Sequence, residues 1–223
     1  MGMPVLVVLL LLGGTVLIVA LVLGIIAYTN RRRAALQQRA HEMAQYGWYL
    51  AAANPWLADV AAAIYTRGRP GEMFAGDYRG RGMCALDYFY TTSNGKSSQT
   101  HNVHLVVLSL PAALPPLTVS KKFARRKRVF GNNIELESQV FNDTFRIDCP
   151  DQRYASAVLH PRLMEWMLAN PGLEWQFAGN ALVSWGYGGF TAPDVQARLE
   201  AMTGVIERIP PFVLQDYGRP TAG

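Results

Sequence analysis

RGMCALDYFYTTSNGKSSQTHNVHLVVLSL, residues 81–110, decides the fold class. Two apolar runs flank Asn94-Gly95. Asn-Gly in that setting is a strong hairpin signal, because both residues accept the positive φ that a tight turn between twisted strands demands. The first run, Arg81 to Thr92, is rich in Met, Leu, Tyr and Phe. The returning run, His101 to Leu110, is apolar on both faces, which places it in the middle of a sheet. Pro111, Pro115 and Pro116 are expected to end it.

Working outward, short strands are expected at Leu117–Ser120, Asn133–Phe141 and Thr144–Cys149. In DQRYASAVLHPRLMEWMLANPG, residues 151–172, the spacing of Tyr154, Val158, Leu163 and Met167 is helical, and His160-Pro161 splits it into two helices. LEWQFAGNALVSW, residues 173–185, reads as a hairpin turning at Gly179-Asn180. Thr191 and Asp194 form a capping-box pattern before the apolar stripe Val195, Leu199, Met202 and Ile206, which Pro210-Pro211 closes. Upstream, Asn54-Pro55 reads as an N-cap with proline at the first helical position, opening a helix through Trp56, Leu57, Val60 and Ile64. That helix is expected to stop near Gly68, Pro70 and Gly71. The sum is an α+β domain, a mainly antiparallel sheet with flanking helices.

The chain before the domain is different in kind. Pro4 to Tyr28 carries no charge. As a helix it would be about 37 Å long, against a hydrocarbon core of about 30 Å. No basic residue precedes it and bulky residues run to its end, so it reads as a permanent anchor and not a cleaved signal peptide. Arg31, Arg32, Arg33 and Arg39 follow it directly. Basic residues collect on the cytoplasmic flank, so the N-terminus should face out and the domain should face the cytoplasm. In that compartment Cys84 and Cys149 should be buried thiols; with the opposite orientation they would form a disulfide. Homo-oligomerisation has only weak support, since Ala20, Gly24 and Tyr28 lie four apart without a true GxxxG pair.

The formal charge is +5, and it is concentrated. Four of the 21 basic residues follow the anchor, and Lys121, Lys122, Arg125, Arg126, Lys127 and Arg128 supply six more. Without those ten, the 16 acidic residues outnumber the basic ones. KKFARRKR, residues 121–128, suits three readings: a solvated loop, contact with anionic lipid headgroups, and phosphate contact with nucleic acid. The last is weakest, because no nucleic-acid module surrounds it and Phe123 is its single aromatic. Arg31, Arg32, Arg33 and the six basic residues of 121–128 are therefore the candidate lipid contacts.

Catalytic patterns are thin. His101 and His104 sit three apart on a strand, hence on opposite faces, and cannot share a metal. His104 shares its face with Val106 and Leu108 and reads as a hydrogen-bonded core histidine. Cys149 stands beside Asp148 and Asp151 ahead of a helix, where a thiol pKa can fall. Cys149 with His160 is thus the one nucleophile pair to consider, although capping by Asp148 or Asp151 explains the same residues. The glycine-rich run from Trp185 to Phe190 lacks the Lys and Ser/Thr of a phosphate loop. No cofactor and no metal is implied.

RRRAALQQRAHEMAQYGWYL, DYRGRGMCALDYFY, FNDTFRIDCPDQRYASAVLHPRLMEWML and IPPFVLQDYG, spread over residues 31–218, resemble a family of uncharacterised membrane-anchored proteins, a domain of unknown function from high-GC Gram-positive bacteria. The resemblance implies an anchor and a domain, and carries over no catalytic residue. The expected organisation is a short external N-terminus (1–3), a transmembrane helix (4–28), juxtamembrane helices (29–71), an α+β domain (72–217) and a tail (218–223). The expected function is a single-pass, membrane-anchored binding or scaffold module whose partners are the lipid bilayer and a protein at the membrane, with no specific nucleic acid. The alternatives are an enzyme using Cys149 and His160, and a small-ligand or lipid carrier with a pocket between sheet and helices.

Overall fold

The structure is a computed structural model that describes residues 3–122 and 134–220, with side chains from residue 17 onward. The chain divides into two units, Met1–Gln45 and Tyr46–Gly223. The first is a helix, α1 (Met3–Ala44). Residues 17–28 are the part of the expected anchor whose side chains are described, and Leu17, Ile18, Leu21 and Leu23 are all at least 60% exposed there. Among the described residues no helix is long and apolar enough to cross a membrane.

The second unit is built on a sheet. Its strands are β1 (Tyr49–Ala51), β2 (Gly68–Tyr78), β3 (Arg81–Ser93), β4 (Ser98–Lys121), β5 (Phe145–Asp148) and β6 (Trp175–Tyr187). They run in the order β1-β2-β3-β4-β5, with β6 also paired to β4, and every pairing is antiparallel. Helices α2 (Pro55–Ile64), α3 (Gln139–Thr144), α4 (Gln152–Val158), α5 (Pro161–Ala169), α6 (Ala192–Ile206) and α7 (Pro211–Asp216) flank it. The α+β class and the antiparallel sheet agree with the sequence reading.

Local chemistry explains several boundaries. Asn94 closes the β3–β4 loop by accepting from the backbone N–H groups of Lys96 (3.1 Å) and Ser97 (2.9 Å) on Oδ1. Asn54 caps α2, Asp151 caps α4 through the N–H groups of Arg153 and Tyr154, and Thr191 with Asp194 completes a capping box on α6. Each cap satisfies backbone donors that have no partner inside the helix.

Four expectations fail, for related reasons. β4 does not end at Pro111 but continues through Pro115 and Pro116 to Lys121. Its register against β6 shifts between Ser109 and Leu114 and again before Leu117. Prolines are tolerated in such irregular stretches, where the missing N–H interrupts no regular ladder. Ala113 pairs instead with Arg219, so the expected tail is tied back to the sheet. Second, residues 173–185 hold no hairpin: β6 runs straight through, and Gly179, with φ +61°, sits opposite Leu114 as part of the same irregularity. Third, the described part of Asn133–Phe141 is irregular and then helical, because Ser138 caps α3. Fourth, β1 and the start of β2 lie inside the stretch 29–71 read as helices. Gly68, Pro70 and Gly71 begin a strand instead of only ending α2, and a register shift between Pro70 and Met73 absorbs them.

Alternation along β4 and β6 gives the sheet two different faces. On one, Leu57, Ala61 and Ile64 of α2 close over Leu86, Leu105, Val107, Val183 and Trp185, all buried. On the other, Val195, Leu199 and Met202 of α6 are buried along with Val106, Leu108 and Leu182. This second face also carries polar groups, and they define the site.

Candidate binding site

Position 104 of β4 faces position 186 of β6 across the ladder. His104 is buried and donates from Nδ1 to the carbonyl of Gly188 at 2.9 Å. With the proton on Nδ1, the neutral ring leaves Nε2 as an acceptor. Burial holds the imidazole pKa below its ordinary value, against the opposing pull of the Gly188 hydrogen bond. Its ring meets Phe190 edge-on, and Phe190 meets Phe74 in the same way.

Arg198 of α6 arrives over the same spot. Its Nη1 donates to Ser184 Oγ (3.0 Å) and to the Trp185 carbonyl (2.8 Å), while Ser184 donates to the Glu174 carbonyl (2.7 Å). Gly186 makes this approach feasible: a Cβ there would lie 2.6 Å from His104 Nε2 and 2.9 Å from Arg198 Nη2. Any side chain would have to push one of them away. Desolvation lowers the Arg198 pKa, and Tyr65, Glu174 and Asp194 counter it. Both Thr191 hydrogen bonds hold the Asp194 carboxyl below its ordinary pKa.

Two cavities open around Arg198, of about 530 and 760 Å³, and both are lined by Pro171, Gly172, Tyr187 and Arg198. The smaller adds His104, Asn170 and Asp194; the larger adds Lys121, Lys122, Asp143 and Glu174. Tyr187 is 71% exposed. It is braced edge-on by Tyr65, which stacks on Tyr90, which stacks on His101. Volumes of this size with a few convergent polar groups are those of small-molecule sites.

The residues singled out in the sequence lie elsewhere or at the rim. Cys149 is buried and donates from Sγ to the Asp151 carbonyl at 3.3 Å. Burial pushes its pKa up, as it pushes that of Cys84 to about 11, the reverse of what activates a nucleophile. His160 donates from Nε2 to the Arg208 carbonyl at 2.8 Å, so the two side chains engage different parts of the backbone. Arg31, Arg32 and Arg33 are exposed on α1. Lys121 and Lys122 are exposed at the end of β4, where Lys122 pairs with Asp143 at 3.0 Å. Arg125, Arg126, Lys127 and Arg128 lie outside the described residues. Arg198 and Tyr187 were not legible as site residues: only the fold brings them to His104, and no local pattern marks them.

No protein-family model and no curated protein matches the chain. Among solved structures it is similar to the mycobacterial trehalose monomycolate transport factor A, TtfA, with a TM-score of 0.51 at 10% identity over 84% of this chain and 97% of that one. At that identity the likeness is one of fold.

Proposed function

We propose that this chain is a membrane-anchored, non-catalytic binding module that serves transport at the membrane. In this reading residues 4–28 cross the bilayer once, the N-terminus lies outside, and the α+β domain works on the cytoplasmic side beside a protein partner. The observation that carries the binding role is the pair of cavities around Arg198, whose polar groups converge without an activated nucleophile. The fold shared with a transport factor supports the transport setting, and Arg31, Arg32 and Arg33 after the apolar run support the orientation. Lys121 and Lys122 open KKFARRKR, which would rest on anionic headgroups at about 1 kcal/mol per basic residue.

The test is complementation in cells depleted of the chain, read by pulse-labelling of envelope lipids. The intact protein and a Cys149→Ser variant should both restore labelled lipid to the envelope, and a form lacking residues 1–28 should not. A folded Cys149→Ser variant that fails would favour the enzyme reading. For the lipid contact, neutralising all six basic residues of 121–128 should weaken flotation with anionic vesicles; unchanged flotation would remove that part.

A further inference from the structure

The cavities around Arg198 carry a more specific inference, which rests on the binding-module reading. In the smaller cavity His104, whose pKa burial holds down, and the cation Arg198 share the lining with the carboxylate of Asp194, and Glu174 acts on Arg198 from nearby. A bare anion entering there would meet the Asp194 carboxylate as well as the Arg198 guanidinium. What remains is a set of neutral hydrogen-bonding positions. His104 offers Nε2 as an acceptor. Asn170 donates from Nδ2 to the Trp166 carbonyl at 2.8 Å, which leaves Oδ1 as an acceptor. Asp194 uses Oδ2 for Thr191 and keeps Oδ1. Arg198, in the same lining, makes its hydrogen bonds through Nη1, so Nη2 and Nε remain as donors.

Hydroxyl groups both donate and accept, so a ligand dense in hydroxyls satisfies acceptors and donors set side by side, which a carboxylate, an acceptor alone, cannot. Tyr187 adds an exposed, braced ring to the wall, an apolar face for the C–H side of such a ligand. We infer that the cavity formed by His104, Asn170, Asp194 and Arg198, with Tyr187 in its wall, binds an uncharged sugar, either free or as the headgroup of a glycolipid.

The experiment is saturation-transfer NMR on the full chain in phosphatidylcholine nanodiscs, which avoids sugar-headed detergents. The probes are trehalose as the neutral polyol and glycerol phosphate as the anion. Trehalose should give a saturable signal and glycerol phosphate none. Two variants at exposed wall positions, Ala197→Trp to fill the cavity and Tyr187→Ala to remove the ring, should each weaken trehalose by about tenfold or more. Nanodiscs carrying a trehalose-headed glycolipid distinguish the source. Displacement of free trehalose would support the headgroup form, and no displacement with intact trehalose binding would support the free sugar. Saturable glycerol phosphate without trehalose, a trehalose signal unchanged in both variants, or no signal from either probe would overturn the inference. Should sugar binding fail while the intact chain still restores envelope lipid labelling, this inference falls and the binding-module reading stands.

Discussion

The two faces of the β4–β6 ladder are made by alternate residues of the same two strands, yet they are built for different ends. Leu105 opposite Trp185, and Val107 opposite Val183, point to α2 and form a dry core. One residue away, His104 opposite Gly186, and Val106 opposite Ser184, lie on the side where Arg198 and the cavities are. A period of two lets one strand pair serve stability on one face and carry polar groups on the other, although Trp185 and Tyr187, at the end of β6, reach the cavities from the α2 side of the alternation. The polar face is affordable because each buried polar group is held: His104 by Gly188, Ser184 by Glu174, Arg198 by Ser184 and Trp185.

That contrast can be broken by substitution. Leu105→Ala, on the apolar face, should cost about 2–5 kcal/mol in chemical denaturation, the range for a fully buried leucine. A cost near zero would mean the α2 face is not the core. Gly186→Ala, on the polar face, should cost about 1–3 kcal/mol, because the added methyl collides with His104 and Arg198. It should also disturb the cavity, visible as shifts of the His104 ring resonances. Further out, Thr191→Ala removes the α6 capping box and should cost about 1 kcal/mol.

The smallest effect is one of pH. Burial holds the folded-state pKa of His104 below the ordinary imidazole value of about 6.5, so the unfolded chain takes up the proton first as pH falls. The stability that neutral His104 contributes is therefore complete above about pH 6.5 and declines as pH drops from there toward the folded-state pKa. Melting temperatures between pH 7.5 and pH 5 should fall, and the fall should be shallower in His104→Gln. An identical slope in that variant would move the effect to another group.

How much of this was legible in the sequence depends on the range of the contact that decides it. Asn54, Asp151, Thr191 and Asn94 act within a few residues of themselves: the caps at Asn54 and Thr191 could be read directly, Asp151 was one of two cap candidates beside Asp148, and Asn94-Gly95 marked the turn, although Asn94 closes it through its side chain and only Gly95 takes a positive φ. Pro111, Pro115, Pro116 and Gly179 look like terminators locally, but pairing between β4 and β6 absorbs them as irregularities. β2 was hidden in the same way behind Gly68 and Pro70. The site was the least legible part. His104 could be read as a hydrogen-bonded core histidine, and that much holds. Its meeting with Arg198 and Gly186 is a product of the β4–β6 register and the placement of α6, which no local pattern records.

In the proposed orientation the anchored domain presents its cavity to the cytoplasm. Ala197 lines the smaller cavity and is exposed, while Cys149 is buried, Cys84 is partly so, and both thiols have raised pKa values. The most direct measurement is labelling of an Ala197→Cys variant with a membrane-impermeant maleimide at neutral pH, in intact cells and in inside-out vesicles. The proposed orientation gives rapid labelling in inside-out vesicles, none in intact cells, and little on the unsubstituted chain in either. Labelling from the outside of intact cells alone would contradict it, and would place the domain and its cavity in the cell envelope.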